Sequence, residues 1–298
     1  MIRVRQRALI SRTGFGRVIF MEQRIPFRRR ILRSGRVVAS LLLVAAWWSG
    51  WCEAPVAAVS AFNAYAGKVE SRLRDQHQRS DGFLVSIGAD AQKDERLRSG
   101  QVIIEQLTRG KEAELPGAML HHWRGTAFVH GATAADFERL MKNFNGYPRT
   151  FAPQVVRASV LTPEKNGVSN HFTATMRVRQ RHVITVVMDP TYDIRYGRLD
   201  AQHGYSISRS TKIAEIEAPG TTKEHPLSEN VEHGFLWRMN TYWSYEERDG
   251  GLYMQVESIS LTRSIPAGLG WAVRPYVESV PRESLEFTLR AACNALKK

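Results

Sequence analysis

The chain has 298 residues, 43% of them hydrophobic, enough for a sizeable core in one large domain or two small ones. Its formal charge of +13 would suit a nucleic-acid binder, but eleven arginines and the single Glu22 between Met1 and Arg36 carry +10 of it. The rest of the chain is nearly balanced, which excludes a broad basic surface for nucleic acid on the folded part.

The basic segment is followed by an uncharged apolar run, Val37 to Cys52, and then by small residues (Ala54, Ala57, Ala58, Ser60, Ala61). That order is the layout of a secretory signal peptide. An uncleaved anchor is the alternative, but sixteen residues interrupted by Ser and Gly fall short of the roughly 20 that span a bilayer. Residues 1–61 are therefore expected to be a leader, with Val59-Ser60-Ala61 as the cleavage triplet and Phe62 first in the mature chain. The destination is periplasmic or extracellular, with membrane anchoring through the uncleaved segment as the alternative. Met21 stands as a second start, Arg28-Arg29-Arg30-Ile31-Leu32-Arg33 resembles a twin-arginine export motif, and the bulky Trp51 argues against a lipoprotein at Cys52. With Cys52 in the leader, only Cys293 remains, so the mature chain forms no internal disulfide. Cys293 falls on an apolar helix face and reads as a packed thiol.

Phe62, Tyr65, Ala66, Val69 and Leu73 recur at helical spacing, which predicts an amphipathic helix over 62–78. The polar stretch to Pro116 is expected to hold one strand at Val102-Ile103-Ile104 and a mobile loop over Gly88 to Gly100. His121 to Val129 reads as a strand. After it, Thr133-Ala134-Ala135-Asp136 carries a capping hydroxyl and a carboxylate three residues on, and Phe137, Leu140, Met141 and Phe144 make one stripe, so a helix starts at Thr133 and ends near Asn145-Gly146.

From Val155 to Glu217, short alternating runs separated by turn clusters predict an antiparallel meander. Pro219 to Glu232 is a polar loop, a candidate flap. Trp237, Met239, Thr241, Trp243 and Tyr245 alternate with polar partners, and Asp249-Gly250-Gly251 turns that strand into one beginning at Leu252, which predicts a hairpin. A closing amphipathic helix follows, in which Pro281 is expected to cause a kink or restart, giving two segments.

The chain from about His122 to Leu296 resembles the START-like (SRPBCC) superfamily of lipid-transfer domains, plant hydrophobic-ligand binders and polyketide cyclases. The likeness lies in the element order, in Gly125-Thr126-Ala127-Phe128-Val129 before Thr133-Ala134-Ala135-Asp136-Phe137, and in Val256 to Arg263 before Ile265-Pro266-Ala267-Gly268-Leu269-Gly270; these stretches look like those of uncharacterised secreted bacterial members. The resemblance implies an α+β helix-grip fold over 117–298, a curved antiparallel sheet wrapped around a long C-terminal helix and enclosing a cavity. Residues 62–116 lie outside the usual domain, as an N-terminal helix and irregular extension. The implied function is binding of a hydrophobic or amphipathic small molecule, a lipid among the candidates, without turnover and without a cofactor. A cyclase- or aromatase-type enzyme is the alternative, contact with a membrane surface fits either, and oligomeric state is left open.

Phe172, Met176, Ile184, Trp237, Met239 and Trp243 are large residues of the kind that line apolar pockets, though each reads equally as core. Trp271 and Tyr276, ahead of Pro281, fall where the cavity mouth is expected. Glu257 shares a strand face with Tyr253, Gln255, Ile259 and Leu261; if that face points inward, it is a buried carboxylate needing Arg195 or Arg238 as partner, or an acid or base with a raised pKa. If it points outward, it is a solvated residue. The nine histidines show no His-Glu-x-x-His and no paired Cys, so no metal site is expected.

Overall fold

The computed structural model describes residues 53–85, 87–108, 110, 113–161, 170–181, 185–265 and 270–297, with the side chains of 270–276 and 278 outside the description. Helices are α1 (Val56–Gln76), α2 (Ala91–Arg98), α3 (Ala134–Lys142), α4 (Tyr147–Thr150) and α5 (Gly270–Leu296). Strands are β1 (Ile103–Gln106), β2 (Glu114–Leu115), β3 (Ala118–His130), β4 (Val155–Val160), β5 (His171–Arg181), β6 (Thr185–Arg198), β7 (His203–Glu217), β8 (His225–Pro226), β9 (Arg238–Arg248) and β10 (Gly251–Arg263). They form one antiparallel sheet in the order β1-β3-β10-β9-β7-β6-β5-β4, with β2 on β3 and β8 on β7. The first long strand thus pairs with the last, and the meander fills the space between.

Both faces of the sheet are covered. On the inner face, Leu285, Leu289, Ala292, Cys293 and Leu296 of α5 pack with Ala127, Val129, Leu252, Met254, Val256 and Trp243. Gly125 of β3 makes this approach possible, because a Cβ there would stand 2.3 Å from Leu289 Cδ1. On the outer face, Ala58, Phe62, Ala66, Val69 and Leu73 of α1 pack on Leu120, Trp237, Tyr242, Ile259 and Leu261. The spacing of three and four residues puts these α1 positions on one stripe. The helix begins six residues before the expected Phe62, so the Val59-Ser60-Ala61 triplet lies in its first turns, with Ala58 already buried.

Several expectations are met at the level of local chemistry. Thr133 accepts from Asp136 N, and the Asp136 carboxylate accepts from Thr133 N, the reciprocal box that starts α3. The β9–β10 hairpin turns at Asp249 and Gly250, with φ of 56° and 73°. Cys293 is buried, and burial pushes its thiol up to about 11.

Two expectations need correction. The segment expected to be a mobile loop over Gly88 to Gly100 contains α2, capped by the Asp90 carboxylate accepting from Gln92 N and Lys93 N. Its one buried apolar residue, Leu97, is too little for a periodic signal, and the cap starts the helix instead. The closing helix runs from Gly270 through Pro281 to Leu296 as a single element, with no restart. Proline removes one N–H from the helix ladder, and the packed face from Leu285 onward outweighs that loss.

Candidate functional site

Strand register sorts the inner face into rows that run across the sheet. One row is Gly125, Val256, Trp243, Ser206 and Tyr196, and the tight helix contact at Gly125 closes it. The next is Trp123, Ser258, Thr241, Ser208, Ile194 and Phe172. Beyond it come His121, Ser260 and Met239, continued by Ser210, Tyr192 and Ala174. Met239 N donates to Ser210 Oγ at 2.8 Å.

The second row has an unusual burial pattern. Its ends are closed, with Trp123 at 8% exposure and Phe172 at 2%, but Ser258, Thr241 and Ser208 in the centre of the sheet are only half-buried. Met239, Ser210 and Met176 beside them are half-buried too. Central strands of a sheet covered on both faces are ordinarily sealed, so this strip is less closely covered than the rows on either side of it. It lies beyond the filled half of the interior, toward the N-terminal half of α5.

On the sheet side, the described positions of these rows are neutral. The inner-facing positions of β3 from Met119 to Ala127, β9 from Met239 to Tyr245, β10 from Met254 to Thr262, β7 from Ser206 to Ser210, β6 from Tyr192 to Tyr196 and β5 from Phe172 to Val178 hold no carboxylate, lysine or arginine. His121 is buried, which lowers its pKa to about 4 and keeps the imidazole uncharged, and its Nε2 lies 3.1 Å from Thr262 Oγ1. Among the described residues, the hydroxyls of Ser208, Thr241 and Ser258 have no hydrogen-bond partner, and the buried Trp123 indole N–H has none either. Tyr192 Oη points at Met239 Sδ, 3.8 Å away.

A buried carboxylate stands where β7 pairs with the start of β6. Glu215, opposite Met188, accepts from His233 N and Nδ1, both at 2.8 Å, and from Phe235 N at 2.9 Å. It anchors the second half of the loop expected to be a flap, while β8 pairs the first half with Ile216 and Glu217. No three His, Cys, Asp or Glu side chains among the described residues converge as a metal would require.

Of the residues expected to line a pocket, the fold brings Phe172, Met176, Met239 and Trp243 together on the inner face. Trp237 packs on the outer side, against the α1 layer. Arg195 is exposed and pairs with Asp193, because the period-2 alternation of β6 sends Ile194 and Tyr196 inward and Arg195 out. Ile184 and the side chains of Trp271 and Tyr276 lie outside the described residues.

Glu257 is buried, but on the outer face beneath α1, and neither Arg195 nor Arg238 is its partner. Its Oε2 accepts from Arg72 of α1 and meets His122 Nε2 at 3.0 Å, while Oε1 accepts from Arg124 at 2.9 Å. Tyr65 Oη, also on α1, lies 2.9 Å from His122 Nδ1. Burial pushes the carboxyl up, but the His122 hydrogen bond and the charges of Arg124 and Arg72 outweigh it and hold the pKa at about 2. Glu257 is therefore an ionised structural group, opposite to the raised-pKa acid considered from the sequence. The third covering layer, supplied by residues 56–76, is what the strand pattern did not reveal.

Ser208, Thr241, Ser258, Trp123 and His121 were not singled out from the sequence. A signal was present in the alternation of Ser206, Ser208 and Ser210 along β7 and of Ser258 and Ser260 along β10. These small hydroxyls fall on strand faces that are otherwise apolar.

A first long strand, a capped helix, an antiparallel meander and a last strand returning to the first, with a C-terminal helix laid in the concave face, make the helix-grip arrangement. The fold is a helix-grip α+β fold. No family model and no curated protein matches the chain. Among solved structures it is similar to a START superfamily protein from Mycobacterium smegmatis, at 13% identity over 59% of this chain and 96% of that one, with a TM-score of 0.40. It is also similar to a STAR-related lipid transfer protein from Xanthomonas axonopodis, at 16% identity over 65% of this chain and 99% of that one, with a TM-score of 0.39. A Streptomyces aromatase/cyclase matches at 13% identity, 59% of this chain and 92% of that one, with a TM-score of 0.40.

Proposed function

We propose that this START-like chain binds a hydrophobic or amphipathic small molecule, a lipid among them, in the cleft between the concave face of its sheet and α5. The observation that carries the reading is the half-buried strip Ser208, Thr241 and Ser258 at the centre of the sheet, flanked by Trp123, Trp243, Met239 and Met176. Its mechanism is exclusion of water: each methylene of a ligand moved from water onto such walls contributes about 0.8 kcal/mol. Aromatic and thioether side chains suit this because they offer large, adaptable contact areas.

Organic extraction and native mass spectrometry of the purified chain test the reading, with a co-purifying apolar molecule as the expected result. A ligand-free protein that also takes up no apolar probe would overturn it. The alternative, a cyclase-type enzyme, loses Glu257 to the outer face and keeps His121, a neutral imidazole held to Thr262, as an acid or base on the described inner-face rows. Turnover of a polyketone substrate that disappears in His121→Phe would favour it.

The same reading includes export, supported by the arginine-rich leader and the Val37 to Cys52 apolar run. Among the described residues no helix is long and apolar enough to cross a membrane. N-terminal sequencing of chain recovered from cell fractions is the check. Cleavage after Ala61 would leave Phe62, Ala66, Val69 and Leu73 of the α1 stripe in place, whereas intact chain in the cytosolic fraction would refute export.

A further inference from the structure

We propose that a ligand site separate from the concave face lies between α4 and the last turns of α5, and that it takes a small amphipathic oxyanion such as a medium-chain carboxylate. A cleft of about 390 Å³ opens there, walled by α4 and the turn after it on one side and by α5 on the other. Ligand pockets run from roughly 300 to 1,000 Å³, so this one suits a single short acyl chain or ring and not a two-chain lipid.

The cleft follows from how the two helices pack. On α5, Leu285, Leu289, Ala292, Cys293 and Leu296 are taken up by the core. Phe287, Ala291 and Ala295, four residues apart, form a separate stripe on another flank of the helix, and this stripe lines the cleft. Across from it, α4 is a single turn held at its two ends. Tyr147 is buried and its Oη donates to Met141 O at 2.6 Å, and Phe151 is buried directly after the turn. Arg149, between these anchors, and Ala152, just past them, stay exposed and complete the cleft.

The floor is apolar and the charge beside it is positive. Among the described residues, no carboxylate lines the cleft, and the Arg149 guanidinium has neither an ion pair nor a hydrogen bond. Arg290 donates through Nε and Nη2 to Glu286 Oε1, at 3.0 and 2.8 Å, and Glu286 is shared with Arg282 at 3.7 Å. The carbonyl end of α5 disfavours an anion, but Lys297, whose Nζ donates to Asn294 Oδ1 on the cleft wall at 3.3 Å, offsets it. Arginine presents paired N–H donors that match the oxygens of a carboxylate or phosphate head. An inorganic anion would use the two guanidinium groups and leave Phe287 and the alanines wet. A neutral chain would cover the alanines and forgo the guanidinium groups. One oxyanion on a short apolar body uses both.

The test is NMR titration of the full chain, carrying isotope-labelled alanine methyl groups, with octanoate, octanol and acetate at neutral pH. Octanoate is expected to shift the methyls of Ala152, Ala291 and Ala295 together, with one common Kd. Octanol should bind about five- to tenfold more weakly, for want of the exposed ion pairs, and acetate more than about a hundredfold, for want of the apolar contact. Arg149→Gln combined with Arg290→Gln is expected to weaken octanoate about five- to tenfold; Arg149→Gln alone, expected to weaken it about threefold, serves if the double variant does not fold. Ala295→Leu, which fills the cleft without changing its charge, should weaken octanoate and octanol alike. Shifts confined to Ala127 and Ala174, which belong to the core of the inner face, would assign octanoate to the concave face and overturn this inference while supporting the binding reading above. Octanoate that leaves all three cleft methyls unshifted, octanol that binds as tightly, or arginine variants that bind octanoate undiminished would also overturn it.

Discussion

Replacing Glu257 with Gln keeps the side-chain volume and removes one buried charge from beneath α1. The carboxylate is 2% exposed and is held by Arg72, Arg124 and His122. Its folded pKa of about 2 lies below the ordinary 4.5, and that gap corresponds to roughly 3 kcal/mol of stabilisation by the ionised form. Breaking one partner of a buried ion pair costs a similar amount, about 3–5 kcal/mol, because the largely buried Arg124 is left without a counter-charge. Because the folded pKa is depressed, the stabilisation is complete above about 4.5 and is lost as pH falls towards about 2. Urea unfolding of wild type and Glu257→Gln at pH 7, 4.5, 3.5 and 2.5 checks this. The expected result is a difference of about 3 kcal/mol at pH 7 that narrows steadily below pH 4.5. A variant within 1 kcal/mol of wild type at pH 7, or a difference that does not change with pH, would refute the reasoning.

Three further predictions follow from the packing and the loop anchor. Gly125→Val places methyl groups where even a Cβ would stand 2.3 Å from Leu289 Cδ1 and 3.0 Å from Ile104 Cδ1, and should cost about 3 kcal/mol in urea unfolding. Thr133→Ala removes half of the reciprocal cap on α3 and is expected to cost about 1 kcal/mol, read as a fall of about 2–4 °C in Tm. The His233 pKa is raised by its hydrogen bond to Glu215, against the opposing effect of burial. Its contribution to holding the 228–235 loop is therefore full below about 6.5 and lost as pH rises through the raised value. Proteolysis within that loop should be faster at pH 9 than at pH 6, and Glu215→Gln should abolish the difference.

The features set by neighbours in the chain were legible in the sequence. The Thr133-Ala134-Ala135-Asp136 cap, the Asp249-Gly250 turn and the apolar stripe of α1 each depend on residues a few positions apart, so local spacing is enough to read them. The order of these elements carried the START-like expectation. Trp243 and Met239 were likewise readable as inward-facing, because β9 alternates large apolar and polar residues.

The direction of β10 was not readable, and the reason is physical. With α5 on one face and α1 on the other, nearly every residue from Gly251 to Leu261 is buried, so the alternation that distinguishes inside from outside disappears. Leu252, Met254 and Val256 on one side look no more buried than Tyr253, Gln255 and Glu257 on the other. Only the packing of α1, through Tyr65 and Arg72 nearly two hundred residues upstream of Glu257, decides that the carboxylate is an outer structural ion. The half-buried row was hidden for the same reason. Ser258, Thr241 and Ser208 lie far apart along the chain, and strand register alone brings them into one half-buried row at the centre of the sheet.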